Sequence, residues 1–465
     1  MEPGEAVLDA IRGHLALVGP ATVAELAGRT GIPAEAVLGA LVRLEADGIA
    51  LRGRFDPGRP AEDGQAPLEF CDRRLLARIH RYTTARLRQE IEPVTAQDFL
   101  RFLFRWQHVA PGTQLEGRRG VLAAVDQLQG FEIAAGSWER AVLPLRVAGY
   151  QAAWLDDLCL SGEVAWARLA PRAAAERPGR SARPPSAATP VSLLIRDNLA
   201  WLLRAARGAA SAPLPAPGPA RDVLARLTER GALFFDELVN LTGRVGAEVT
   251  EALWDLVGRG LVTADGFGSV RALGSARDRW ARRAARPAPP DRLRRAARGQ
   301  GGGEGRWFLL PGAPDGGHTP GRAGQDGWGE PELLAEAVAE QLLARWGVVF
   351  RDVVARETLA LPWREIVWAL RRLEARGTVR GGRFVTGFAG EQFALPEAVE
   401  GLRQTRRRAR DGEIVRVAAV DPLNLVGILT PGVRVPAARG PIVAYRDGAP
   451  LAGEGSLPRS TVAGR

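Results

Sequence analysis

Two short stretches of this sequence carry side chains that could grip a polyanion bearing flat, stackable rings. Arg105, Trp106 and His108 fall together in FLFRWQHVA, and Arg78, His80, Arg81 and Tyr82 fall together in ARIHRYT. Guanidinium groups neutralise phosphates, and bases stack on aromatic rings for roughly 1–3 kcal/mol each. Further cationic sources lie downstream. The stretch 271–298 holds ten arginines, among them Arg282, Arg283, Arg294 and Arg295, against Asp278 and Asp291. LRQTRRRAR brings Arg406, Arg407 and Arg408. Carboxylates that could activate water are fewer. Asp421 with Asn424 in VDPLNLVG pairs an acceptor with a polar neighbour, which base catalysis requires. Asp447 in AYRDG sits at another turn between apparent strands.

Composition removes several other chemistries. The chain has 465 residues, a formal charge of +10 and a pI near 10.9. It contains no lysine, so all 63 basic residues are arginine. A lysine Schiff base is therefore excluded, as is a P-loop, whose phosphate-binding lysine cannot be supplied. No ATPase activity is expected from this chain alone. Cys71 and Cys159 are far apart, and His14, His80, His108 and His318 are scattered, so no metal site and no cofactor is expected. The N-terminus lacks a signal-peptide pattern and no apolar run reaches about 18 residues, which predicts a cytoplasmic protein without a membrane partner.

The regular elements of the chain are set by a threefold repeat. The copies run from Gly19 to Phe55, from Gly231 to Phe267 and from Gly347 to Phe384. Each has a short helical pattern, a turn, a longer helix, a glycine and a hairpin-like end. The longer helix shows one apolar face: Val37, Leu38, Leu41 and Leu44, then Val249, Leu253 and Leu256, then Ile366, Leu370 and Leu373. Gly48, Gly260 and Gly377 follow, where a left-handed residue ends a helix. That order predicts winged helices. The first copy is acidic on its longer helix, with Glu35, Glu45 and Asp47 against Arg43, so its face is not built to read a groove.

The expected fold class is mainly α with small β elements: a tandem array of winged-helix domains followed by a C-terminal β-barrel-like module. The expected divisions are a winged helix over 1–60; a helical, aromatic-rich domain over 61–170, ending in a degenerate winged helix at WLDDLCLSGEVAW; a linker and helix over 171–220; a winged helix over 221–275; an Arg/Gly-rich linker over 276–330; a winged helix over 331–400; and a basic helix with a barrel-like tail over 401–465. The tail reads as four strands, EIVRVAAV, LVGILT, RVPA and PIVAYRDG.

The blocks RIHRYT, RFLFRWQHVAPGTQLEG, LQGFE, LCLSGEVAW, GVVFRDVVARE, GRFVTGFAGEQFALPEAVE and DPLNLVGILTPG resemble the C-terminal half of bacterial large helicase-related (Lhr) proteins. Nothing in the chain matches the RecA-like motors those proteins carry upstream. The resemblance implies winged helices ending in a β-barrel, nucleic-acid binding, homo-oligomerisation, partnership with helicase motor domains and a DNA-repair setting. It also extends to winged-helix DNA glycosylases, whose Gln-apolar-Gln motif is matched by Gln127-Leu128-Gln129, with Asp126 adjoining. On an extended segment the two amides would share a face. Uracil excision in the family depends on an aspartate towards the C-terminus, which keeps Asp447 beside Asp421 as a candidate.

Three readings stay open on the sequence. The first is a DNA-binding module of an Lhr-type repair helicase, with RNA equally within reach of its chemistry. The second is a monofunctional glycosylase removing uracil or a damaged base. The third is a tandem winged-helix transcription regulator, which needs neither the aromatic block nor the tail.

Overall fold

The computed structural model describes residues 3–56, 58–59, 67–89, 92–170, 189–208, 210, 212–271, 305–311, 330–359, 361–438 and 440–451. The chain divides into two units, Met1–Glu92 and Pro93–Arg465.

In the first unit, α1 (Pro3–Val18), α2 (Val23–Thr30) and α3 (Ala34–Ala46) precede β1 (Ala50–Gly53), β2 (Glu69–Asp72) and α4 (Arg73–Gln89). Thr22 starts α2 with a reciprocal cap: its hydroxyl accepts from the Glu25 amide at 3.2 Å, and the Glu25 carboxylate accepts from the Thr22 amide at 2.9 Å. Val37, Leu41 and Leu44 of α3 are fully buried with Ile11, Leu15 and Leu26. Leu38 is 45% exposed and leaves the expected apolar face. One residue beyond Val37 is about 100° further round the helix, which turns that side chain to solvent. Gly48 takes φ 69°, the left-handed turn its position calls for. β1 pairs antiparallel with β2, and Ala21 bridges Phe70 on the other side of β2.

The second unit repeats this plan three times with insertions. It opens with α5 (Ala96–Trp106), β3 (Leu115–Glu116) and α6 (Gly117–Leu128). Then come β4 (Ile133–Ala134), α7 (Leu143–Arg146), β5 (Val147–Ala148), α8 (Ala152–Leu160), β6 (Val164–Ala167), β7 (Pro190–Ile195) and α9 (Leu199–Arg207). A second group contains α10 (Pro219–Arg230), β8 (Leu233–Phe234), α11 (Phe235–Thr242), α12 (Gly246–Gly258), β9 (Val262–Ala264) and β10 (Arg306–Leu309). The third contains α13 (Pro331–Trp346), β11 (Val348–Val349), α14 (Arg351–Val354), α15 (Trp363–Ala375), β12 (Arg380–Gly382), β13 (Gln392–Ala394) and α16 (Pro396–Arg407). The described residues are mainly helical.

The three sheets of these groups have one order: β4-β7-β6, β8-β10-β9 and β11-β13-β12. In each, the central strand comes last in sequence. The repeat visible in the sequence therefore stops short of the strand that closes its own sheet. β7 falls where the sequence reads as the helix after a linker, and β10 in a short apolar stretch of the Arg/Gly-rich linker. Their burial explains their recruitment. Trp307 of β10 is 3% exposed, with its ring edge-on to Trp166 at 6.1 Å and to Trp254 at 6.0 Å.

The tail forms β14 (Ile414–Ala418), β15 (Ile442–Arg446) and β16 (Ala449–Pro450), an open antiparallel sheet; among the described residues it closes no barrel. LVGILT and RVPA are not strands. LVGILT instead folds into a tight turn, the Ile428 and Leu429 amides donating to the Leu425 carbonyl at 3.1 and 3.0 Å, and the Tyr445 hydroxyl accepts from the Leu425 amide and donates to the Leu423 carbonyl, both at 3.0 Å. Local side-chain partners of this kind compete with ladder hydrogen bonds. Among the described residues, no helix is long and apolar enough to cross a membrane, and no three metal-ligating side chains converge.

Both thiols are buried, and burial pushes Cys71 up to about 11 and Cys159 up to about 12. Thiolate is the reactive form. A thiol reagent at pH 8 should therefore leave both unlabelled in the folded protein and titrate both once urea unfolds it. Rapid labelling without denaturant would show that one of these thiols is not sealed.

Candidate nucleic-acid interface

Five of the residues singled out from sequence line one groove of about 580 Å³ in the second unit: Arg105, Trp106, His108, Gln127 and Arg408. Phe102, Gly401, Gln404 and Thr405 complete its walls. α5 supplies the aromatic wall and α16 the facing one. The close approach of these helices depends on Gly401, where a β-carbon would lie 2.8 Å from the Phe102 ring. Phe102 backs the Trp106 indole, with ring centres 5.4 Å apart and planes tilted by 31°. Trp106 is held from behind, its ring N–H donating to the Ala344 carbonyl at 2.9 Å. An indole fixed in this way loses little freedom when it receives a second flat ring.

The polar groups of the groove have distinct states. Arg105 pairs with Glu413 at 2.9 Å, both partly exposed, so its charge is partly answered. The Arg408 side chain is exposed. His108 sits at φ 60° with Nδ1 2.9 Å from the Thr113 carbonyl oxygen. That contact assigns the proton to Nδ1 and leaves Nε2 as an acceptor in the neutral ring. Gln127 donates from Nε2 to the Trp106 carbonyl at 2.9 Å and to the Ala344 carbonyl at 3.3 Å. Its Oε1 is buried and has no hydrogen-bond partner among the described residues. A buried carbonyl oxygen left unmatched forfeits about 1–3 kcal/mol.

The other candidates lie elsewhere. Gln127 is inside α6 and Gln129 caps its C-terminus, so the pair is not on an extended segment and does not share a face. Gln129 is 2% exposed and engaged at both ends, donating to Asp126 at 2.8 Å and accepting from Asn198 at 3.1 Å. Asp421 is fully buried against Arg146, with oxygens at 2.7 and 2.9 Å from the guanidinium. Asn424 donates to the Ala419 and Val435 carbonyls at 2.7 and 3.0 Å. Asp447, at φ 48°, accepts from the amides of Gly412 and Glu413 at 3.1 Å. It closes a turn, where a left-handed aspartate is at home. Arg78, His80, Arg81 and Tyr82 are exposed on α4 of the first unit. Arg406 and Arg407 are exposed at the end of α16 but do not line the groove. Arg282, Arg283, Arg294 and Arg295 fall outside the described residues.

Phe102, Gly401 and Gln404 were not legible as groove residues, because a helix-packing glycine and an apolar phenylalanine carry no chemical signature of their own. The fully buried Arg146 and Arg345 were hidden by the arginine-rich background.

Residues 94–182 and 329–414 match two family models, each described as a winged-helix domain of the large helicase-related protein. The chain is 31% identical over 437 residues to a Mycolicibacterium smegmatis protein named Lhr helicase/probable uracil glycosylase, covering 88% of this chain and 26% of that relative. It is 29% identical over 385 residues to the Escherichia coli Lhr helicase/uracil glycosylase, covering 75% of this chain and 23% of the relative. The chain thus spans about a quarter of the length of these curated relatives, an extent consistent with a C-terminal region. It carries two winged-helix domains of the large helicase-related family and is similar to Lhr helicases along most of its own length.

Proposed function

We propose that this chain is a nucleic-acid-binding module of an Lhr-type repair helicase, working with motor domains of that family, and that the α5/α16 groove takes up a nucleotide. The convergence of Trp106, Arg105, His108 and Arg408 on one cavity carries the reading. A pinned indole supplies a stacking surface, and the guanidinium groups supply phosphate partners. Its size is in the range of small-ligand sites, about 300–1,000 Å³. Self-association and a barrel-like closure of the tail belong to the same proposal as properties implied by the family.

Fluorescence anisotropy with a labelled single-stranded oligonucleotide tests it. Affinity should fall steeply between about 50 and 200 mM salt. Arg408→Ala should flatten that dependence by about one phosphate contact without altering the melting temperature. A salt-independent affinity, or an Arg408→Ala protein that binds as the parent does, would remove the groove from the reading.

Base excision is the second reading, favoured by Gln127 in the groove wall and by the names of the two relatives. A glycosylase must hold an extruded base and orient water near the sugar. Of the four catalytic candidates, Gln127 faces the groove, while Gln129, Asp421 and Asp447 are committed to the protein's own groups. Incubation with uracil-containing DNA followed by hot alkali tests it. Strand cleavage that Gln127→Ala abolishes supports excision; intact DNA at full binding leaves a holding module.

A further inference from the structure

The three repeat copies share one buried face and differ on the opposite one. Val37, Val249 and Ile366 hold one position of the long helix, Leu41, Leu253 and Leu370 the next, and Leu44, Leu256 and Leu373 the last; all are buried. Two residues beyond the first of these, the outer face carries Gly39, Glu251 and Trp368 in turn. Two residues before it stand Glu35, Ala247 and Arg364. The same helix in three packings thus offers solvent a carboxylate and a glycine, an alanine and a carboxylate, or a guanidinium and an indole.

Trp368 is 55% exposed on α15. Arg364 lies four residues before it and Arg371 three after, spacings that place side chains side by side on a helix. Arg364 is exposed. Arg371 is tied to Glu391 at 2.6 and 3.0 Å, which draws the loop before β13 against this helix. The hairpin adds an exposed Arg383. A single surface indole would need no explanation. An indole between two guanidinium groups, on the helix that a winged helix turns outward, has the composition of a strand-stacking platform.

We infer that the outer face of α15, through Trp368 and Arg364, is a second contact for single-stranded nucleic acid, separate from the α5/α16 groove. The inference rests on the nucleic-acid reading above. A base lies on the Trp368 ring and the adjoining phosphate meets Arg364. A single strand is the occupant because an indole can cover a base face only where that base is unstacked from its neighbours.

The test uses the full chain and a fluorescent oligothymidine, with the matching duplex as a second probe. Trp368→Ala should weaken single-strand binding about tenfold, in the range alanine substitution gives for a stacked base. Trp368→Phe should restore most of it. Arg364→Ala should lower the salt slope by about 0.7, the value for one phosphate contact on a single strand. Duplex affinity should change little in either Trp368 variant. Single-strand affinity unchanged in Trp368→Ala while Arg408→Ala loses its contact would overturn this site and leave the groove reading intact. A parent protein that binds neither probe would end both.

Discussion

Asp421→Ala should destabilise the unit spanning 93–465 by about 3–5 kcal/mol, the usual loss when one partner of a buried ion pair is removed. Arg146 and Asp421 both have fully buried side chains. The carboxylate takes both guanidinium ends, at 2.7 and 2.9 Å, and also accepts from the Leu423 amide at 3.0 Å. Arg146 reaches onward to the Gln107 side-chain oxygen at 3.0 Å and the Val142 carbonyl at 3.2 Å. Alanine at 421 leaves a guanidinium charge in the interior with two neutral acceptors and no counter-ion. The double variant Arg146→Leu/Asp421→Leu removes both charges and should recover much of the loss, since an apolar pair of similar volume is tolerated in such a place. Urea unfolding followed by circular dichroism decides it: equal stability of parent and Asp421→Ala would disprove the pair's role. An activity lost in Asp421→Ala would then report unfolding as readily as chemistry.

Arg345→Ala should have an effect of the same size and should also disable the groove. Arg345 is fully buried and forms an ion pair with Glu357, whose other oxygen accepts from the Trp346 ring N–H at 2.6 Å. The guanidinium also donates to the carbonyls of Gln127, Leu128 and Gln129, the last turn of α6. Arg345 serves all three of these end-of-helix carbonyls, sharing that of Gln127 with the Gln341 side chain at 3.1 Å and that of Leu128 with the Phe131 amide at 3.1 Å. Its removal strands a buried carboxylate and loosens the turn that carries Gln127, leaving Gln341 as its remaining side-chain tie. Loss of stability by about 3–5 kcal/mol is expected, together with weaker oligonucleotide binding. Arg345→Lys should not rescue it, because a single ammonium cannot reach a carboxylate and three carbonyls at once. Retained stability in Arg345→Lys would contradict that geometry.

The long helices of the repeats were legible from residue types because burial on one helical face imposes a spacing of three and four, and Val37, Leu41 and Leu44 obey it. Gly48, Gly260 and Gly377 were legible because a positive φ admits few residues, and all three adopt one, at 69°, 70° and 80°. The aromatic-cationic character of Arg105, Trp106 and His108 was equally plain. What the sequence could not convey was the partner of each element. β7 and β10 are short strands beyond breaks of Pro, Gly and Arg, and their place at the centre of a sheet follows from pairing across long separations in the chain. Asp421 read as a candidate base, and tertiary packing made it the counter-ion of an arginine 275 residues away. Gln127 and Gln129 read as a pair, and the end of α6 separated them, leaving one to face the groove and the other to brace the core. Sequence by itself determined the local periodicities, the helix-ending glycines and the exclusion of lysine chemistry, since these depend on residue type and near neighbours. Tertiary structure alone decided which polar groups are spent on one another and which stay available, because that depends on contacts between residues hundreds of positions apart.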